Sequence, residues 1–187
     1  MWLPLLTACI PVLHSPAGAP TGEYEIPDND WPAAPSIPVL EEEGFGVGEV
    51  IGRQFLADQN GDEVDLWQFY GRVWVLDVST IWCSPCQAMA ASLQATADKF
   101  KDEDFVYLTV LSEDLDGEVP DTAELQGWAE TFGILDQPIL ADTTGFSGPV
   151  TNGVYPALLV IDRDLKVFAR VEVPDEALLE AAIESAI

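Results

Sequence analysis

Histidine is all but missing from this chain: His14 is the only one, and no imidazole follows it. Its absence downstream excludes Ser/His/Asp and Cys/His catalysis there, and histidine-based zinc sites with them. Cysteine is nearly as scarce. Of the three, Cys9 lies close to the start, and Cys83 and Cys86 form the C-x-x-C run Cys83-Ser84-Pro85-Cys86. A zinc site takes about four ligands and only this pair is at hand, so neither a metal nor a cofactor is expected. Basic residues number 7 against 33 acidic ones, a formal net charge of -26. So negative a surface repels phosphate backbones, which sets nucleic acid aside as a partner. It favours basic partners in a salt-dependent way. No apolar run is long enough to cross a bilayer as a helix.

What is present suits one folded domain behind a tail. The chain has 187 residues, 48% of them hydrophobic, enough to bury a core. Residues 1–9 hold a short apolar stretch ending in Leu6-Thr7-Ala8-Cys9, which resembles the lipobox of bacterial lipoproteins, where the cysteine becomes the lipidated first residue. No Lys or Arg precedes the stretch. A competing cleavage pattern, Ala17-Gly18-Ala19, is followed at once by Pro20. Both patterns imply export, and an anchor at Cys9 is the only membrane attachment expected. Residues 10–45 are studded with proline, at Pro11, Pro16, Pro20, Pro27, Pro32, Pro35 and Pro38. Such a segment forms neither a helix nor a central strand, and the expectation is an extended tether. The folded domain is expected over residues 46–187.

Within that domain, Asn60-Gly61 between the runs 50–56 and 63–66 signals a hairpin. Val73-Trp74-Val75-Leu76-Asp77-Val78 and the run 104–111 read as buried strands. The segment 86–100 is Ala-rich, with Leu93, Ala97 and Phe100 on one helical face. A second helix is expected over 122–132, capped by Gly133. A short apolar piece, 138–141, and a Gly-rich loop, 143–153, come next. Residues 157–161 and 167–173 suggest an antiparallel pair, and a last helix starts near Pro174. A strand–helix–strand unit with hairpins added gives a mixed α/β sheet with helices on both faces, in three layers.

The dithiol stands where a buried strand hands over to a helix, and Pro85 suits the first helical turn. A disulfide across two residues closes too small a loop to stabilise much. A redox pair, by contrast, needs an exposed sulfur at a helix N-terminus, where unpaired N–H groups favour a thiolate, and a second sulfur within reach. Cys83 fills the first role. Cys86, one turn in and more buried, fills that of the resolving thiol. Asp77 is an acid inside an apolar strand, so burial raises its pKa and suits it to proton transfer.

The run Asp77-Val78-Ser79-Thr80-Ile81-Trp82-Cys83-Ser84-Pro85-Cys86 resembles the thioredoxin superfamily, and most of all its membrane-anchored TlpA/ResA-like bacterial branch. The resemblance reaches from about residue 50 to the end. It implies a thioredoxin-like fold with an N-terminal β-hairpin, and thiol-disulfide oxidoreductase activity on protein disulfide substrates, re-reduced by a membrane electron donor. It assigns Cys83, Cys86 and Asp77 to catalysis, and Trp82, Tyr155 and Pro156 to substrate binding, with Pro156 as a cis-proline facing the dithiol. Proline in the second x position resembles the reducing members, which points to a reductase. This chain departs from the pattern at Gln87, where many relatives have Lys or Arg, and at Met89 and Ala91, where the anchored branch has Glu and Pro. The rivals are a peroxiredoxin-like peroxidase, for which Thr80 supplies part of T-x-x-C, and a binding module that has lost turnover. A copper chaperone is disfavoured by the cysteine spacing and the missing histidine.

Overall fold

Residues 24–187 are described by the structure, a computed structural model. The lipobox with Cys9, the 17–19 pattern and His14 lie outside the described residues. An antiparallel hairpin opens the sheet, β1 (Phe55–Asp58) and β2 (Glu63–Asp65). Its turn is held by the Asp58 carboxylate, which accepts from the N–H groups of Asn60 and Asp62, both at 2.8 Å. Gly61 takes φ 86°, a value that suits a residue without Cβ. The strand begins later than the apolar run from residue 50 suggests. Val50 instead makes an isolated bridge to Lys166.

The core follows from two fully buried strands, β3 (Val73–Ser79) and β4 (Phe105–Leu111), which pair in parallel. The connection between them is α1 (Ser84–Phe100), whose buried residues Cys86, Met89, Ala90, Leu93, Ala97 and Phe100 recur at helical spacing. No proline follows Pro85 in it, so α1 runs unbroken. Next comes α2 (Thr122–Phe132), opened by a reciprocal Asp121/Glu124 capping box and closed by Gly133 at φ 67°. Then follow β5 (Ile139–Ala141), α3 (Ser147–Thr151), β6 (Ala157–Ile161), β7 (Val167–Val171) and α4 (Glu176–Ala186). The sheet order is β2-β1-β5-β4-β3-β6-β7. It is mixed, as expected: β4 is parallel to β3 and β5, and β6 is antiparallel to β3 and β7.

Side chains alternate across β3, so Val73 and Val75 join α1, α2 and α4 in one apolar cluster, and Trp74, Leu76 and Val78 join a second on the opposite face. Among the described residues, that second face carries a 3-10 turn at Leu66–Phe69 and one short α-helix, α3, where the sequence suggested only a Gly-rich loop. Asp142 makes it possible by accepting from the N–H groups of Gly145, Phe146 and Ser147. The described part of the Pro-rich segment also packs on this face, so residues 24–45 are not extended clear of the domain, as the expected tether over 10–45 would be. Trp31, Ile37, Leu40 and Phe45 pack on the second cluster. Trp31 Nε1 donates to Asp58 at 2.6 Å, Asn29 to the Glu63 carbonyl at 2.8 Å, and Ala34 N–H to the Gln68 carbonyl at 2.7 Å. Proline forbids regular structure here, and it leaves these side chains free to dock. No helix among the described residues is long and apolar enough to cross a membrane.

Candidate active site

Strand register assembles the site. Antiparallel pairing matches Val78 with Ala157, so Pro156, one residue earlier, arrives where β3 ends and the chain turns toward Cys83. The Tyr155–Pro156 bond is cis. Cys83 is the N-cap of α1, and its sulfur accepts from the Cys86 backbone N–H at 3.4 Å. The Cys83 thiol donates to the carbonyl of Tyr155 at 3.7 Å. Residues 72 positions apart in the chain are thus in contact at the dithiol.

Exposure differs from expectation. Cys86 is fully buried, as a resolving thiol should be, while Cys83 keeps only 5% of its surface in contact with water. A dithiol at a strand–helix junction predicts an exposed first sulfur. Its position against the Tyr155 carbonyl and the helix N-terminus accounts for the difference. Only a narrow edge of Cys83 is thus open to solvent. Trp82 beside it is 48% exposed, and its ring meets that of Tyr155 edge-on at 6.0 Å between centroids. Trp82 Nε1 donates to Glu113 at 2.9 Å. The Tyr155 hydroxyl accepts from the Ser112 hydroxyl at 3.1 Å. An open groove of about 540 Å³ runs from Ile81 and Gln87 to Leu115, Trp128 and Phe132. Gln87, where a cation was missing, donates to the Ile81 carbonyl at 2.9 Å.

Behind the sulfurs, Asp77 and Ser79 fall on the α1 side of β3 by alternation. Asp77 is 1% exposed, and burial pushes its pKa up to about 7, against hydrogen bonds from Ser79 and Tyr107 that lower it. Ser79 Oγ donates to Asp77 Oδ1 at 2.5 Å, and the Tyr107 hydroxyl donates to Oδ2 at 3.5 Å. Burial also pushes the Cys86 thiol up; contact with Cys83 and the Asp77 charge add to this, and hydrogen bonds with Thr80 and Ser79 oppose it. Burial thus favours the protonated form of both Cys86 and Asp77. Asp77, Cys83, Cys86, Trp82, Tyr155 and Pro156 all meet at one end of the sheet. Ser79, Tyr107 and Ser112 were not singled out from the sequence. Ser79 had a signal, since a hydroxyl two residues after Asp77 in a strand shares its face. Among the described residues, no group of three or more Asp, Glu, His or Cys side chains is placed to hold a metal.

The family model described as "AhpC/TSA family" matches residues 47–170. Among curated proteins, Thioredoxin H2 of Arabidopsis thaliana is 44% identical over 50 residues, 27% of this chain and 33% of that protein. The chain therefore spans about a third of the length of the curated relative it matches. Among solved structures, the thioredoxin domain of a thiol-disulfide oxidoreductase from Bacteroides vulgatus superposes with TM-score 0.63 at 20% identity, covering 77% of this chain and 100% of that one. A secreted disulfide oxidoreductase of Mycobacterium tuberculosis gives 0.58 at 19% identity, covering 71% and 95%. At such identities the likeness speaks for the fold, which is thioredoxin-like.

Proposed function

The chain belongs to the AhpC/TSA family, and from that premise we propose that it is an exported thiol-disulfide oxidoreductase of the TlpA/ResA-like, membrane-anchored kind, working as a reductase of protein disulfides. One observation carries the reading: Cys83 sulfur sits at the N-terminus of α1, 3.4 Å from the Cys86 N–H and 3.7 Å from the carbonyl that precedes Pro156. Cys83 attacks a substrate disulfide and forms a mixed disulfide, releasing half the substrate as thiolate. Cys86 then attacks the Cys83 sulfur and frees the second half. Asp77 manages the Cys86 proton. Trp82 and the Tyr155–Pro156 segment receive the substrate chain. A membrane electron donor re-reduces the pair. The lipobox-like run ending at Cys9 supports a lipid anchor and an envelope location, and the M. tuberculosis structure is that of a secreted protein.

The peroxidase alternative gains little from the site. Thr80, its motif residue, is fully buried, and its hydroxyl has no partner among the described residues, so it does not line an open approach for a peroxide.

Equilibration with a series of glutathione buffers tests the direction of electron flow. A reductase gives a potential near or below that of thioredoxin, about −270 mV. A value as oxidising as about −120 mV makes the protein a disulfide donor instead.

A further inference from the structure

Gly127 stands in the middle of α2, where glycine is the least favourable residue short of proline. Nothing in the fold calls for it. Its backbone is ordinary helix, and a Cβ built on it would meet no atom within 4 Å. The space it leaves belongs to the groove beside the dithiol, which Gly127 lines with Ile81, Gln87, Leu115, Trp128 and Phe132. The Trp128 and Phe132 rings pack together at 4.6 Å between centroids. Leu115, on the loop between β4 and α2, is 76% exposed at the same groove. At about 540 Å³ the groove has room for a bulky apolar side chain, and a side chain at position 127 would take part of that room.

Charge narrows the choice of guest. Between Lys101 and Arg163 the chain holds no basic residue. Glu113, Asp114, Asp116 and Glu118 share the loop that carries Leu115, and Glu124 lines the groove itself. None of them pairs with Lys or Arg among the described residues. Such a field favours a cationic partner and disfavours a second copy of this chain, which brings the same sign.

We propose that the groove takes the substrate protein's chain next to its disulfide, with a bulky apolar side chain over Gly127 and Lys or Arg beside it. The proposal rests on the disulfide-exchange reading and names its substrate class, disulfides flanked by apolar and basic residues. Ile81 lies two residues before Cys83, so a chain held in the groove keeps its sulfur close to the attacking thiol.

The test uses short synthetic peptides whose central cysteine is disulfide-bonded to thiopyridine. Cys83 thiolate takes the peptide sulfur, the peptide–pyridyl S–S bond breaks, and the leaving thiolate gains a proton from water as thiopyridone, read by its absorbance. One peptide carries leucine and lysine on both sides of the cysteine. A second has glycine for leucine, and a third has glutamate for lysine. Wild-type protein should react with the first at least about tenfold faster than with the second. It should also prefer the first to the third by about tenfold at low salt, a margin that shrinks as salt rises.

Gly127→Leu fills the groove, and its leucine-over-glycine ratio should fall to within about twofold. Taking the ratio within one variant cancels any change at the sulfur. The same variant should melt about 1–4 °C above the wild type, because the helix gains a better former. Leu115→Ser should cut the ratio by about threefold. Equal rates with all three peptides overturn the proposal, as does a wild-type ratio in either variant. A Gly127→Leu protein that melts below the wild type shows the glycine to serve the fold, which also overturns it. So does a wild-type dimer in sedimentation that Gly127→Leu breaks, since the groove would then hold a second copy. Failure of the exchange reading is separate: wild-type protein would keep a peptide on each thiol, whichever peptide is used, instead of closing the Cys83–Cys86 disulfide.

Discussion

Asp77→Asn should make the protein more stable than the wild type at pH 8 by about 2–4 kcal/mol, and leave the two within about 1 kcal/mol at pH 4. The sign follows from burial. An unfolded aspartate ionises near its ordinary 3.8, whereas in the fold Asp77 ionises near 7. Below the lower value both states hold the proton, and burial of this group costs no charge. Above the higher value the fold must hold a carboxylate out of water. Stability attributable to Asp77 is therefore full at acid pH and is lost between the two values. The gap corresponds to about 4 kcal/mol. Loss of the charge acceptor for Ser79 and Tyr107 trims the gain in the variant. The same substitution should slow the resolving step by about 10- to 100-fold at neutral pH, since no base then takes the Cys86 proton. Urea denaturation at the two pH values checks the first part, and comparison with wild type cancels the acid response of the remaining carboxylates. Equal stability at pH 8 would mean that Asp77 is not strained by its burial.

Cys86→Ser should stop turnover, with a loss of at least about 1,000-fold in reduction of a protein disulfide, while mixed disulfides accumulate on Cys83. Serine cannot attack a disulfide at neutral pH, so the first step goes forward and the second has no nucleophile. The narrow exposed edge of Cys83, at 5% of its surface, makes attack by outside thiols slow and the trapped species long-lived. Non-reducing electrophoresis of the variant from an oxidising cell envelope should show adducts that collapse on reduction. The Cys83→Ser/Cys86→Ser double variant should show none. The proteins captured would also name the substrates that the -26 net charge selects. If Cys86→Ser forms no adducts, the sequential exchange scheme is wrong.

Much of this architecture was legible in the sequence wherever local physics decides it. The β3 run is apolar and β-branched, Pro85 suits a helix start, and Asp121, Glu124 and Gly133 spell out both ends of α2. The dithiol stood out because a pair at a strand–helix junction has few other uses. What escaped depends on contacts between distant segments. The near burial of Cys83 comes from the Tyr155 carbonyl, 72 residues on. The α3 turn sits in a stretch holding Gly145, Gly148 and Pro149, and it forms because the single carboxylate of Asp142 gathers three N–H groups. The docking of residues 24–45 was hidden because proline density argues against helix and strand and says nothing about packing. Trp31, Ile37, Leu40 and Phe45 were the overlooked sign, too many apolar side chains for a solvated tether. Ser79 was passed over because β3 is buried on both faces. The run then shows no polar–apolar alternation to tell which residues look toward α1.

The account stands on disulfide exchange at Cys83 and Cys86, and insulin reduction measures it with the least interpretation. With dithiothreitol as the electron source, catalytic amounts of wild-type protein should bring on insulin precipitation well before the reductant alone does. Cys83→Ser should match the reductant alone. Wild-type protein that fails to outpace dithiothreitol, or a Cys83→Ser variant that performs as well as wild type, would contradict it.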